Sequence, residues 1–134
     1  AKSHIIKALS ALHIENSAGH SEFKVDKDGN IRIIEIGARM GGGCIGSDLV
    51  YLSTGNDFMK MVIDISCGDS PEFADILKNQ FVCIKFLMNK YDFDNLDLLK
   101  KQAKYKVYRE SIFDRKPDSK VTDDSNRLGY YIFL

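Results

Sequence analysis

A chain of 134 residues with zero formal net charge, 44% hydrophobic and 28% charged, has the make-up of one globular domain large enough for a core. The neutral balance gives no reason to expect nucleic acid or an anionic membrane as partner, and no apolar run approaches the roughly 20 residues needed to span a bilayer. No signal-peptide pattern opens the chain, and Cys44, Cys67 and Cys83 are odd in number with no CxxC pair, which points to reduced thiols in the cytoplasm.

In chain order, Ile5, Ile6, Ala8, Leu9 and Leu12 recur at helical spacing and predict an amphipathic helix over 3–14, with Ser3 as its N-cap. Glu15 to Gly19 is a polar connector. Two runs rich in β-branched and aromatic residues, 21–26 and 31–36, then flank Lys27-Asp28-Gly29-Asn30, and Asp-Gly in that setting predicts a β-hairpin. A two- or four-residue loop pairs Asp26 with Ile31, Lys24 with Ile33 and Glu22 with Glu35, whereas a three-residue loop slips the register and sets Glu22 against Ile36. Directly opposed side chains have Cβ atoms about 4.5–5.5 Å apart, so two facing carboxylates destabilise the sheet unless a cation is shared between them. The Asp-rich turn does not suit an EF-hand, because counting from Asp26 glycine falls fourth and the twelfth residue is Gly37 rather than an acid.

After Glu35 come Gly37, Arg39 and Gly41-Gly42-Gly43. Glycines let a backbone approach a ligand closely, and Arg39 supplies a planar fork of donors for phosphate or carboxylate. Two carboxylates, a guanidinium and a glycine loop together suit a metal-bound phosphorylated ligand; an ordinary hairpin followed by a flexible loop is the plain alternative. His20 lies two residues before Glu22 on the same strand face, where a structural histidine is the plain reading.

Ser47 or Asp48 can cap a short helix ended by Gly55, and Asn56 or Asp57 a second, 58–67, closed by Gly68. Phe58, Val62 and Ile65, with Met59 and Ile63 adjoining, form its core-facing stripe. Glu72 to Lys78 reads as a turn or two of helix. Phe81 to Met88 is a nearly continuous apolar run, predicting a strand buried on both faces within the same sheet as 21–26 and 31–36. Asn89 to Asp94 reads as loop, Asn95 or Asp97 as the start of a short helix, 104–110 as a half-exposed strand and 127–134 as a terminal strand. Lys100, Lys101, Lys104 and Lys106, balanced by Asp92, Asp94 and Asp97, read as solvated surface.

The segments HSEFK and IIEIGARMGGG, with glutamates thirteen residues apart, resemble the metal-binding core of the ATP-grasp superfamily, in its carboxylate–amine ligase branch of amino-acid-ligase and biotin-carboxylase-like enzymes. SDLVYLSTGNDFMKMVIDISCG and the closing DSNRLGY extend the resemblance from about Ser3 to the last residue. It implies an α+β fold, an antiparallel sheet with packed helices and a small closing antiparallel sheet. Glu22 and Glu35 would be ligands of Mg²⁺ (or Mn²⁺) bridging the phosphates of ATP. Arg39 would contact the transferred phosphoryl group or substrate carboxylate, with His20, Gly41, Gly42 and Gly43 beside the nucleotide. Gly37 stands where many members carry Asn as a further ligand. The implied function is ATP-dependent ligation of a carboxylate to an amine or thiol through an acylphosphate. The expected organisation is a single domain over 1–134, with a metal- and phosphate-binding core over 1–69 and a small-sheet portion over 70–134. Only nineteen residues precede His20, which leaves no room for a nucleotide-covering glycine loop with its lysines. The chain therefore reads as the C-terminal piece of a longer ligase, inactive alone, with the assembly open between monomer and homodimer. A non-catalytic α+β binding or scaffolding module is the reading from another class.

Overall fold

The computed structural model describes residues 1–75, 79–102, 105–116 and 120–134 of the chain. The chain forms two compact units, 1–78 and 79–134.

In the first unit, α1 spans Lys2–Ala11 and lies against β2. It begins one residue before the expected cap: Ala1 holds the N-cap position without a side-chain bond, and Ser3 sits inside the first turn. The helix ends where His13 takes a left-handed conformation (φ 53°) and the Ile14 N–H returns to the Leu9 carbonyl at 3.0 Å. Strands β1 (His20–Val25) and β2 (Ile31–Gly37) form a two-stranded antiparallel sheet. A π-helix, Ile45–Leu49, runs directly into α2, Val50–Thr54, so neither Ser47 nor Asp48 caps the helix; both lie within the π turn. The third helix, α3, spans Phe58–Cys67 as expected, capped by Asp57, whose carboxylate accepts the Lys60 N–H at 3.0 Å. It packs on the π-helix, and its buried residue is Met61, with Met59 and Ile63 exposed. Asn56, the other candidate cap, accepts the Ala74 N–H at 2.8 Å instead. Residues 72–75 are not helical, and the rest of that expected turn, 76–78, lies outside the described residues.

The second unit is a three-stranded antiparallel sheet in the order β3-β5-β4, built from Cys83–Leu87, Gly129–Phe133 and Val107–Ile112, with α4 (Lys90–Lys100) against β3. The expectation that 81–88 joins the hairpin sheet is corrected here: its hydrogen-bonded neighbour is β5. It is also an edge strand with only Leu87 buried, because β5 occupies the centre and takes a neighbour on both sides. Gly129, Tyr131, Ile132 and Phe133 of β5 are buried, and Leu87, Leu96, Leu128, Tyr131 and Phe133 form one core. Gly129 starts β5 at φ 155°, and a Cβ there would collide with the Ser111 carbonyl oxygen.

Helix α4 begins at Lys90, before both expected starts, Asn95 and Asp97, because Asn89 and Asp92 form a reciprocal capping box. The Asn89 side chain accepts the Asp92 N–H, and the Asp92 carboxylate accepts the N–H groups of Met88 at 2.8 Å and Asn89 at 3.2 Å. Asp92 also meets Lys85 Nζ at 3.0 Å, so it is a buried structural acid and not part of a solvated charge cluster. Lys100 pairs with Glu110 of β4, while Lys104 lies outside the described residues.

Candidate functional site

The hairpin turn is a three-residue loop. The Asp26 N–H bonds the Asn30 carbonyl and the Gly29 N–H bonds the Asp26 carbonyl, each at 3.0 Å, with Gly29 at φ 83°. The Asp26 carboxylate accepts the N–H groups of Asp28 and Asn30 at 2.9 Å and the Asn30 side-chain amide at 3.1 Å. That Asn30 amide, followed by the backbone bonds, holds the Asp26 carboxyl below its ordinary value. Beyond this loop Val25 faces Ile31, Lys24 faces Arg32 and Phe23 faces Ile33, one step out from the expected register. The slip runs toward Ile34, not Ile36, and left alone it would set Glu22 opposite Ile34. Glu35, one residue on, would then point to the other face of the sheet.

A β-bulge between Glu22 and Phe23 prevents this. Ile34 is the extra residue, and past it Glu22 faces Glu35, Ser21 faces Ile36 and His20 faces Gly37. The expected apposition of the two carboxylates is therefore present, reached through a loop and a bulge whose offsets cancel.

Each carboxylate has a partner of its own. Glu35 Oε1 accepts from the Arg39 guanidinium at 2.8 Å, and Glu22 Oε1 lies 3.2 Å from Nε2 of His20. The side chains of Glu22 and Glu35 are 51% and 50% exposed, so these bonds are solvent-screened and contribute at most about 1 kcal/mol each. Gly37 has a local reason to lack a side chain: a Cβ there would stand 3.3 Å from Cγ of Arg39, on the path by which Arg39 folds back to Glu35. Arg39 also donates to the Met40 carbonyl at 3.0 Å.

The three glycines that follow differ from one another. Gly41 packs against His20 and Ile45, Gly43 is left-handed at φ 59°, and Gly42 faces open space. Cys44 is also left-handed (φ 63°), and the Leu49 N–H reaches back to its carbonyl at 3.0 Å to close the π turn. Asp48 within that turn is buried and accepts the Ser47 hydroxyl at 2.7 Å. Neither the π-helix nor the buried state of Asp48 was readable from the pattern, since a π turn has no sequence period of its own.

Among the described residues no group of three or more His, Cys, Asp and Glu side chains is arranged to hold a metal ion. Two carboxylates are nonetheless a donor set that fits Mg²⁺, which keeps several waters and is commonly held by one or two carboxylates plus phosphate oxygens. The three cysteines are free thiols, and no helix among the described residues is long and apolar enough to cross a membrane.

No protein-family model and no curated protein sequence matches the chain. Among solved structures it is similar to the L-amino acid ligase from Bacillus licheniformis, at 26% identity and a TM-score of 0.69. The match covers 96% of this chain and 36% of that one, so the chain spans about a third of the length of the ligase it resembles. Over that span the two share an α+β fold of helices and small antiparallel sheets.

Proposed function

We propose that the chain is the C-terminal part of an ATP-dependent ligase that joins a small-molecule carboxylate to an amine, or a thiol, through an acylphosphate. The observation that carries this reading is the pairing of Glu22 with Glu35 on adjacent strands, with Arg39 at 2.8 Å from Glu35 and the glycine loop next in the chain. The similarity to an L-amino acid ligase supports the same reaction class.

Glu22 and Glu35 would hold Mg²⁺, or Mn²⁺, for a bound ATP. The metal supplies charge neutralisation on the transferring phosphoryl group. Arg39, anchored by Glu35 and the Met40 carbonyl, keeps further donors for the phosphoryl oxygens or the substrate carboxylate. Gly42, with open space beside it, would let the backbone approach a bound nucleotide closely. His20, Gly41 and Gly43 would frame that approach. Positioning and electrostatics then carry phosphoryl transfer with little demand for a general base. The rest of the nucleotide pocket belongs to preceding domains of the same cytoplasmic enzyme, and neither nucleic acid nor a membrane takes part.

The test uses the full-length protein that carries this chain, assayed for Mg²⁺-dependent ADP formation with panels of carboxylates and amines. Glu35→Gln is expected to abolish the metal-dependent turnover while leaving the fold intact. Wild-type metal dependence in that variant removes Glu35 from the site. The 134-residue chain alone is expected to hydrolyse no ATP, and robust turnover by it overturns the fragment reading.

A further inference from the structure

His20 and Gly41 touch in a way that the chemistry above leaves unused. The imidazole is only 19% exposed, although Glu22 beside it is half exposed. Opposite His20 on β2 stands Gly37, which offers no side chain to share that face. Nε2 points to Glu22 at 3.2 Å. The other edge of the ring occupies the space where Gly41 lacks a side chain: a Cβ there would lie 2.8 Å from Nδ1, 3.2 Å from Cε1 and 3.1 Å from Cδ1 of Ile45. An ionised carboxylate can only accept, so Nε2 is the donor in the bond to Glu22.

We propose that His20 is a positioning residue: its ring, seated against the bare Cα of Gly41, holds the Glu22 carboxylate in place for a divalent cation. The proposal rests on the metal reading of Glu22 and Glu35. It explains why the first glycine of the loop differs from the second, whose Cα faces open space. It also makes the loop and the metal ligand move as one, since a shift of Gly41 changes the room available to the ring. Partners that orient a metal-bound carboxylate typically change metal affinity about 10–100-fold when removed.

Mn²⁺ alone, titrated into the 134-residue chain and read by paramagnetic broadening of backbone amide signals, tests this without any enzymatic activity. Glu22→Gln is expected to abolish saturable broadening at β1 and β2. His20→Ala and Gly41→Ala are each expected to weaken Mn²⁺ binding about tenfold, and His20→Gln, which keeps a donor near the Nε2 position, to recover part of the loss. In the unsubstituted chain, ring protons of His20 are expected to show contacts to the Gly41 α protons, and Gly41→Ala is expected to displace the ring from Glu22. If Glu22→Gln loses Mn²⁺ while His20→Ala and Gly41→Ala bind as the unsubstituted chain does, the positioning role is overturned and the metal site stands. If the unsubstituted chain shows no saturable Mn²⁺ binding, or Glu22→Gln leaves it unchanged, the metal reading falls and this inference with it. Should His20→Ala fail to fold, Gly41→Ala decides, because its added methyl meets a ring edge and the tip of Ile45 and not backbone.

Discussion

The two units of this chain use their residues differently. Among the described residues, the unit over 79–134 buries Leu87, Leu96, Leu128, Tyr131, Ile132 and Phe133, whereas the unit over 1–78 buries Ala18, Leu52 and Met61 of its hydrophobic residues. On the hairpin even Val25 and Ile34 are each 58% exposed, and the carboxylates and guanidinium are half open to water. One unit is organised around apolar burial, the other around the placement of charged groups. Substitutions should therefore cost stability in the unit over 79–134 and change chemistry in the unit over 1–78.

The largest effect expected is from Leu128→Ala, which empties a fully buried position in the core beneath α4 and should destabilise the chain by about 2–5 kcal/mol in chemical denaturation. A cost under about 1 kcal/mol would mean that this core collapses around the gap and is less tightly packed than the burial implies.

Asp92 sharpens the comparison, being a charged group inside the apolar unit. Burial pushes its carboxyl up, but the Met88 N–H, Lys85 and the Asn89 N–H outweigh it and hold the carboxyl below its ordinary value of 3.8. A depressed carboxylate contributes stability that is present above about 3.8 and lost as pH falls through its lower folded-state value. Asp92→Asn should cost about 1–3 kcal/mol near neutral pH and flatten the acid limb of the stability–pH curve. An unchanged acid limb would assign that loss to other carboxylates.

Gly29→Ala should cost least, about 1 kcal/mol, since φ is 83° but nothing lies within 4 Å of the added methyl. A cost well above that would show that the loop constrains the site more firmly than its exposure suggests.

Much of the first unit is legible in the sequence because its signals are local. Asp28-Gly29 marks the turn, and α3 is framed by Asp57 and Gly68. The bulge is not legible, since Ile33 and Ile34 are alike and nothing in an Ile-Ile pair says which residue is extra. In the second unit a capping box written Asn-x-x-Asp hid the start of α4, because Asp92 reads as a surface charge until its burial is known. The partner of β3 lies more than 40 residues away, and strand propensity does not specify a partner. The contact of His20 with Gly41 left no mark either, because what makes it is an absent side chain.

The bulge at Ile34 has a consequence for how this hairpin tolerates change. It sits between the turn and the carboxylates and absorbs one residue of phase, so the two ends of the hairpin keep separate counts. A sheet without it would carry any one-residue change in loop length straight to the site, turning one glutamate to the opposite face. With it, the loop and the site form a compensated pair. The spacing of thirteen residues between Glu22 and Glu35 is thus the sum of two adjustable parts, and the same spacing can survive in a hairpin whose turn looks quite different.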